Sequence, residues 1–226
     1  MKTMRYIPYQ ELDPHHKNKL NNILIEKVKQ TKESIFWLCG WNKDAVNISK
    51  GQKAKEVVNI EYANVLNIPI IQRQGGGGAV YLKAKSDIAW HLIAPKDFFP
   101  NTLQKKYMFA CNKIIKALRE IGIQSYYKPL NDVRTNKGKI SGSTLKISDD
   151  VIYIGGTLIY DCDKPMMNKL LKPEQDTFKQ DIPERMKHVC GITDYKNVPF
   201  RKVIIALENN FLVKNHTVIS LPNKEL

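Results

Sequence analysis

Hydrophobic residues recur at the spacing of an amphipathic helix in three long stretches of the chain. The pattern predicts helices over residues 13–30, 57–66 and 101–121, and two shorter helices over 164–171 and 203–213. Asp13 can cap the first helix, and Pro14 suits its first turn. The second helix follows the capping-box spacing of residues 49–52 and ends before Pro69, and Gly122 closes the third.

Continuously apolar or alternating runs predict strands over residues 35–39, 87–93, 139–147, 151–154 and 157–160. Two further short apolar runs, 68–71 and 79–82, flank a glycine-rich stretch and predict a hairpin. Helices and strands are intermixed without regular βαβ alternation. The expected fold class is therefore α+β with a largely antiparallel or mixed sheet.

The length of 226 residues predicts one domain that can bury a large core. No run of about 18 apolar residues occurs, and the first residues lack the apolar core of a signal peptide, so no membrane crossing is expected. The four cysteines are scattered and form no Cys-x-x-Cys pair: Cys39, Cys111, Cys162 and Cys190. Neither a disulfide framework nor a zinc site is indicated, and a cytoplasmic location is expected.

The formal net charge is +14, with a pI near 9.5, which favours acidic partners. Both nucleic acid and an acidic protein meet that description. The lysines, however, are spread along the chain without interleaved aromatic residues or a basic recognition helix. This dispersal makes nucleic acid the less favoured partner.

The run Gly75-Gly76-Gly77-Gly78 lies between the two predicted strands of the hairpin. Consecutive glycines suit a backbone that approaches a ligand closely or adopts positive φ. Arg73 stands beside the backbone amides of this run, and such a combination binds anions. The segment therefore predicts a phosphate or carboxylate site.

A second candidate segment runs from Asn131 to Ser143. Lys139 begins a strand here, and the Ser-Gly-Ser that follows lets a ligand lie against the backbone. Asn131 offers a neutral polar anchor, and Asp132 offers a carboxylate for magnesium or a ribose hydroxyl. On its own, this pattern is equally typical of a solvated hairpin.

The two segments together resemble motifs of the lipoate-protein ligase family. Residues 73–81 are similar to that family's Arg-x-(Ser/Thr)-Gly-Gly-Gly-Ala-Val-Tyr stretch. Asn131-Asp132 followed by Lys139-Ile140-Ser141-Gly142-Ser143 resembles its Asn-Asp and Lys-Ile-Ser-Gly-Ser/Ala pattern. Gly156-Thr157-Leu158, with Asp161 and Asp163 after it, is similar to its Gly-Thr-Leu strand and acidic turn. These motifs stand in the family's order over roughly residues 35–195.

The resemblance implies a class II aminoacyl-tRNA synthetase/biotin synthetase-like fold, in which a mixed sheet is flanked by helices. It implies one catalytic domain over residues 1–226, without the C-terminal accessory domain of the longer ligases. In the implied reaction, ATP with Mg²⁺ converts lipoate to lipoyl-adenylate, which a lysine of an acceptor lipoyl domain then attacks. The implied acceptor is an acidic domain of the 2-oxoacid dehydrogenase E2 or glycine cleavage H protein type. A separate accessory subunit is a further partner of this kind of enzyme.

By motif position, Lys139 is the catalytic residue and holds the carboxylate and α-phosphate oxygens. The resemblance assigns acyl, nucleotide or acceptor binding to a set of other residues: Arg73, Gly76, Gly77, Gly78, Ala79, Tyr81, Asn131, Asp132, Ser141, Gly142 and Thr157. Asp132 is also the position at which Mg²⁺ would bind. Two family histidines are replaced, because Leu82-Lys83-Ala84-Lys85-Ser86 stands in place of His-Asp-x-Gly-Asn and Gly155 precedes Gly-Thr-Leu.

Three other functions are alternatives to a ligase of this family. An octanoyl- or lipoyl-transferase of the same fold would need a cysteine nucleophile, for which Cys162 is the nearby candidate. A biotin ligase would show a Gly-Arg-Gly-Arg type loop where residues 75–78 stand, and this chain does not have one. A non-catalytic basic protein that binds nucleic acid or an acidic partner is a third reading, because a fold does not dictate its function.

Overall fold

The computed structural model describes residues 3–73, 76–172 and 189–222. Within these residues, eleven strands are numbered in chain order: β1 (Met4–Leu12), β2 (Ser34–Trp41), β3 (Ala45–Ser49), β4 (Ile70–Arg73), β5 (Val80–Leu82), β6 (Ile88–Pro95), β7 (Tyr126–Lys128), β8 (Asp132–Thr135), β9 (Gly138–Ser148), β10 (Val151–Leu158) and β11 (His216–Val218). The α-helices of the same residues are α1 (His16–Thr31), α2 (Ala54–Val57), α3 (Ile60–Val65), α4 (Leu103–Glu120), α5 (Lys164–Leu170) and α6 (Phe200–Phe211).

The main sheet has eight strands in the spatial order β11-β1-β2-β6-β10-β9-β8-β7. Strand β1 runs parallel to both β2 and β11, whereas the other neighbours are antiparallel. A second sheet of three strands has the order β4-β3-β5. The predicted α+β class with a mixed sheet flanked by helices is confirmed.

Each face of the main sheet is covered by different helices. One face packs its apolar side chains against α4 and α6, with Phe36, Trp90 and Phe211 among the fully buried residues. The opposite face packs against α1 and includes Trp37 and Trp41. Because side chains alternate along a strand, β2 supplies both cores and is buried throughout its length. The small sheet has its own core with α2, α3 and α5.

The predicted glycine hairpin is wrong. Strands β4 and β5 do not pair with each other; they lie on opposite sides of β3, parallel and antiparallel to it respectively. Strand β3 was missed because five residues are too few to show a clear period, although all of them are buried. The glycine segment therefore crosses from one edge of the small sheet to the other.

The predicted helix over residues 57–66 is two short helices, α2 and α3. Val58 between them is extended, and its backbone pairs with Leu171. Asn59 then begins α3, and its side-chain oxygen accepts a hydrogen bond from the Tyr62 amide at 3.2 Å. Residues 49–52, which have the capping-box spacing, form a turn and do not begin the helix. In this turn the Ser49 amide donates to Gln52 Oε1 at 2.9 Å.

Other predicted boundaries shift by a few residues. Helix α1 begins at His16 without a side-chain cap, so the predicted capping by Asp13 is wrong. Asp13 accepts from the His15 amide at 3.0 Å before the helix and also pairs with Lys43. Thr102 caps α4, and α6 begins at Phe200. The two strands predicted over 151–160 are one continuous strand, β10. Strands β1, β7, β8 and β11 were not predicted.

No helix within residues 3–73, 76–172 and 189–222 has both the length and the apolar character to cross a membrane.

Candidate functional site

A cleft of about 1230 Å³ is lined by residues of both sheets. It contains all but one of the site residues predicted from the sequence: Arg73, Gly76, Gly77, Gly78, Ala79, Tyr81, Asn131, Asp132, Lys139, Gly142 and Thr157. Ser141 is the exception, because it is buried and its partner across the sheet, Leu158, belongs to the core under α4 and α6. The two motif segments, distant in sequence, thus meet at one site.

Lys139 and Asp132 form an ion pair in this cleft, with 2.6 Å between Lys139 Nζ and Asp132 Oδ1. A bulge makes the pair geometrically feasible. Asp132 lies opposite Gly142, but Arg134 lies opposite Lys139, so β9 has one extra residue between these positions. In a regular strand, residues three positions apart point to opposite faces, so Lys139 and Gly142 share a face only because of the bulge. The bulge therefore places the ammonium and the carboxylate on the same face.

Gly142 provides the space that the Lys139 side chain occupies. A Cβ atom at position 142 would lie 2.6 Å from both Cε and Nζ of Lys139. The Ser-Gly-Ser segment was expected to admit a ligand against the backbone. In the structure, its glycine admits the lysine.

Asn131 is fixed by the backbone of β9. Its Nδ2 donates to the Ser143 carbonyl oxygen, and its own carbonyl accepts from the Ser143 amide and hydroxyl, both at 3.0 Å. These bonds hold the loop before β8 against β9. They also hold Asp132, the next residue, next to Lys139.

Carbonyl oxygens of the glycine segment and of Asn47 surround the guanidinium group of Arg73. The guanidinium donates to the carbonyl oxygens of Asn47 at 2.9 Å, Gly78 at 2.7 Å and Gly76 at 3.0 and 3.2 Å. The predicted anion cradle paired this arginine with backbone amides, whereas here carbonyl oxygens surround it. Gln74 and Gly75, which belong to the predicted segment, lie outside the described residues.

Tyr81 is held by Asp44, whose Oδ2 accepts from the tyrosine hydroxyl at 2.6 Å. The other oxygen of Asp44 accepts from the Ala84 amide at 2.8 Å. Burial, together with the Asp44 carboxylate, raises the pKa of Tyr81 above its ordinary value. Tyr81 is thus a neutral residue in the wall of the cleft. Its hydrogen bond to Asp44 fixes β5 to the segment before β3.

The segment that departs from the family motif builds a charged network at one edge of the cleft. Lys83 forms an ion pair with Asp161, and Asp161 also accepts from the Thr193 hydroxyl at 3.0 Å. The buried Asp87 accepts from the Lys83 amide at 3.1 Å. Burial raises the pKa of Asp87 to about 7. Sequence reasoning named Asp161 in the acidic turn and Lys83 only within the segment that departs from the family motif, and it gave Asp87 no place in the site.

His91 of β6 is buried and stacked on Trp37, with 4.0 Å between the ring centroids. It also lines the cleft, with Tyr153 beside it. The His91 Nδ1 and the Tyr153 hydroxyl are 2.9 Å apart, and burial lowers the pKa of His91 well below its usual value. A Cβ on Gly155 would come within 2.8 Å of both groups, so they fill the space above this glycine.

The cysteines close to the site are protonated thiols. Cys162 lines the cleft, and burial raises the pKa of its thiol to about 12. Cys111 lies in the core under α4, and burial raises its pKa to about 11. A thiolate is the reactive form of cysteine, so neither environment activates a nucleophile.

The described lining of the cleft includes four aspartates, Asp87, Asp132, Asp161 and Asp163, of which Asp132 is the one paired with Lys139. Among the described residues, no three His, Cys, Asp or Glu side chains are grouped as a metal site. Mg²⁺ in nucleotide enzymes commonly takes only one or two protein carboxylates and obtains its other ligands from phosphates and water. Asp132 therefore fits a metal that arrives with a nucleotide.

Residues 13–212 match the family described as the lipoyl protein ligase A/B catalytic domain. Lipoate–protein ligase 1 of Staphylococcus aureus is 27% identical over 179 residues, which are 76% of this chain and 53% of that protein. The chain thus spans about half the length of this relative. An octanoyltransferase of Persephonella marina is 23% identical and is matched over 88% of this chain and 91% of its own length.

Solved structures of low sequence identity share the fold. A bi-partite lipoate protein ligase of Thermoplasma acidophilum, described together with its E2 lipoyl domain, superposes with a TM-score of 0.84 at 19% identity over 97% of this chain and 88% of that one. A lipoate-protein ligase A bound with ATP gives a TM-score of 0.80 at 18% identity over 96% and 90% of the two chains.

Proposed function

The chain belongs to the lipoyl protein ligase A/B catalytic domain family, and on that basis we propose that it joins lipoate to a lysine of a lipoyl domain through a lipoyl-adenylate. The observation that carries the proposal is the Lys139–Asp132 pair, set in the cleft with the Arg73 glycine segment. Lipoate ligases dominate the relatives, and one of the solved neighbours contains ATP.

In the first step, a carboxylate oxygen of lipoate attacks the α-phosphorus of ATP, and the bond to the β-phosphate breaks to release pyrophosphate. Two negatively charged groups approach each other in this step. The Lys139 ammonium lies where it can contact both, and a preorganised charge of this kind lowers the barrier. Mg²⁺ bound with ATP would neutralise further phosphate charge, with Asp132 as its protein ligand.

In the second step, the acceptor amine attacks the carbonyl carbon of the adenylate, and the bond to the phosphate oxygen breaks to release AMP. Both steps proceed without a covalent enzyme intermediate, which agrees with the protonated state of Cys162 and Cys111. Asn131 and Asp132 would orient the phosphate and the incoming amine. Arg73, the glycine segment and Thr157 would hold the adenylate.

The proposed acceptor is an acidic lipoyl domain of the E2 or H protein type. The net charge of +14 supports this choice, because opposite charges steer two proteins together. The Thermoplasma ligase is bi-partite, which supports a separate accessory subunit as a second partner here. We place the reaction in the cytoplasm.

The test is the intact mass of a purified apo lipoyl domain after incubation with this protein, lipoate and Mg-ATP. A lipoyl mass increase that requires ATP and is lost in Lys139→Met is expected. Removing one such fixed charge typically lowers the rate by about 100- to 1000-fold. Lys116→Met, which removes an exposed lysine of α4 outside the cleft, is the matched control.

Octanoyl transfer is the second candidate, favoured by the match to nearly the full length of the Persephonella enzyme. The same assay separates the two functions when octanoyl-acyl carrier protein is supplied as the acyl donor in place of lipoate and ATP. Acyl transfer without ATP, lost in Cys162→Ser, would reject the ligase proposal. If neither acyl donor modifies the domain and no adenylate forms, both enzymatic proposals fail.

A further inference from the structure

Two apolar side chains that line the cleft are exposed and therefore lie at its mouth. Leu130, in the turn between β7 and β8, is 57% exposed, and Val80, the first residue of β5, is 40% exposed. Single exposed apolar residues are common on protein surfaces. These two, however, belong to the two different sheets that form the cleft. Each sheet thus contributes one exposed apolar side chain to the mouth.

The backbone around Leu130 is held in place. The Tyr127 hydroxyl donates to the Leu130 carbonyl oxygen at 2.7 Å. The carbonyl oxygen of the next residue, Asn131, accepts from the Ser143 amide and hydroxyl, both at 3.0 Å. These bonds keep the turn ordered before a partner arrives. A contact residue that is already ordered loses little conformational entropy when an interface forms.

Val80 is fixed by the small sheet. It pairs with Asn47 of β3, and the hydroxyl of its neighbour Tyr81 donates to Asp44 at 2.6 Å. The mouth of the cleft therefore presents apolar side chains from two ordered segments, as a surface for protein contact requires.

Lys128 adds a positive charge beside Leu130. It ends β7, the edge strand of the main sheet, and its exposed side chain lines the cleft. Its partner across the ladder is Asp132, whose carboxylate forms an ion pair with Lys139. In the described part of the chain, the Lys128 ammonium makes no ion pair or hydrogen bond. It is therefore available to a carboxylate of a docked protein.

The acyl acceptor is the protein that must approach this mouth. Its amine has to reach the carbonyl carbon of an adenylate bound at Lys139, and 2.6 Å separates Lys139 Nζ from Asp132 Oδ1. Leu130 precedes Asp132 by two residues, which span at most about 7 Å of backbone. A folded domain that brings its lysine to Lys139 therefore covers Leu130 as well.

We infer that Leu130 and Val80 form the docking surface for the acceptor domain, with Lys128 as its charged edge. The inference rests on the proposed function and specifies how that partner is recognised. The two apolar side chains pack against apolar surface beside the acceptor lysine, and Lys128 pairs with a carboxylate of the same domain. The surface thus selects a protruding lysine that has both an apolar and an acidic neighbour.

The test measures initial rates of lipoyl transfer by intact mass, with the concentration of a purified apo lipoyl domain varied at saturating lipoate and Mg-ATP. Leu130→Ser should raise the KM for the domain about tenfold and leave kcat within about twofold, as expected for loss of an apolar interface contact. Leu130→Met should retain the wild-type KM. Ile147→Ser, which removes a side chain that is 56% exposed on β9 outside the cleft, should change neither constant.

A charge reversal tests the edge of the surface. Lys128→Glu should raise the KM for the domain about fivefold at low salt, and by less as NaCl increases, because salt screens the charge. Lys116→Glu, on α4 outside the cleft, makes the same change in net charge and is the matched control. Equal effects of the two variants would overturn the role of Lys128.

An unchanged KM in Leu130→Ser would overturn the inference. A loss of kcat at constant KM would also overturn it, because Leu130 would then act in the chemical step. Sedimentation of the chain alone tests a second occupant of the surface. A dimer that Leu130→Ser dissociates would assign the surface to a second copy of this chain and would overturn the inference too.

Two further measurements on the same samples separate the inference from the proposed function. One is binding of the apo domain without lipoate and ATP, and the other is adenylate formation without the domain. Affinity for the domain that depends on Leu130, without any adenylate, defeats the proposed function alone. Lipoyl transfer at the wild-type KM in Leu130→Ser defeats the inference alone.

Discussion

The position of the Lys139 amine depends on Gly142, because a methyl group at position 142 would occupy the same space. In Gly142→Ala, the new Cβ would displace the end of Lys139, since both Cε and Nζ lie 2.6 Å away. We expect adenylate formation to fall by about 100-fold, the usual effect of a displacement of about 1 Å at a reacting centre. The free energy of unfolding should change by only about 1 kcal/mol, because the displaced atoms end a flexible side chain.

The matched control is Gly51→Ala, because no atom lies within 4 Å of a Cβ at position 51. Adenylation rates and denaturant curves of both variants provide the measurements. Full activity in Gly142→Ala would show that the present place of Lys139 is not its working position.

The raised pKa of the buried Asp87 predicts that the stability of the folded protein depends on pH. Its pKa is about 7 in the folded protein and about 4 in an unfolded chain. Between these values the folded state holds a proton that the unfolded state has lost. Stability therefore falls as pH rises from about 4 to 7, by about 1.4 kcal/mol per pH unit, and is lowest above pH 7.

The Asp87→Asn variant should lose this slope and should gain about 2–4 kcal/mol of unfolding free energy at pH 8. The asparagine oxygen can still accept the hydrogen bond from the Lys83 amide. Urea unfolding at pH 5 and pH 8 measures both effects. Asp97→Asn, which changes an exposed aspartate, serves as the control, and an Asp87→Asn slope equal to that of the wild type would contradict the prediction.

The residues of the site divide into those that local sequence could reveal and those that it could not. Lys139 and Asp132 lie within one short segment, so their meeting was foreseeable, although the bulge that aligns them was not. Lys17 and Tyr153 are separated by most of the chain and line the same cleft because α1 packs on β10. Ser141 was assigned to the site by motif position, but strand alternation turns it into the core.

At the scale of elements, the cap of α4 offers a direct stability test. Thr102 Oγ1 accepts from the Lys105 amide at 3.3 Å and begins an 18-residue helix that packs on the main sheet. Thr102→Ala should lower the free energy of unfolding by about 1 kcal/mol, and Thr102→Ser should preserve it. Chemical denaturation compares the two, and equal loss in both variants would assign the effect to packing of the methyl group.

The long helices were predictable because their apolar stripes repeat over several turns, as in α1 and α4. In the small sheet, β4 and β5 were predicted from their apolar runs, but β3 was missed because its five residues are too few to show a clear period. Its pairing is also non-local. Strand β3 separates β4 from β5, although β4 and β5 follow one another in sequence.

At the scale of the whole molecule, the charge of +14 predicts salt-sensitive association with an acidic lipoyl domain. Raising NaCl from about 50 to 500 mM should lower the association rate constant by about tenfold or more, because screening removes long-range steering. The maximal rate with bound acceptor should change far less. Stopped-flow association over a salt series measures the effect.

A salt-independent association rate would leave the basic charge without a role in acceptor binding. Steep salt dependence of DNA or RNA binding in the same range would instead favour the non-catalytic binding protein. The two outcomes separate an enzyme that meets an acidic protein from a protein that binds polyanions.

The guanidinium of Arg73 gives four hydrogen bonds to the carbonyl oxygens of Asn47, Gly76 and Gly78. Because a guanidinium has five N–H donors, a two-point contact with a phosphate or carboxylate would replace at least one of these bonds. Ligand binding would then include a first-order rearrangement of the Arg73 side chain after the ligand first contacts the protein. The observed rate constant of binding should rise with ligand concentration to a plateau. The height of that plateau gives the rate at which Arg73 exchanges its bonds to the backbone carbonyl oxygens for bonds to the ligand.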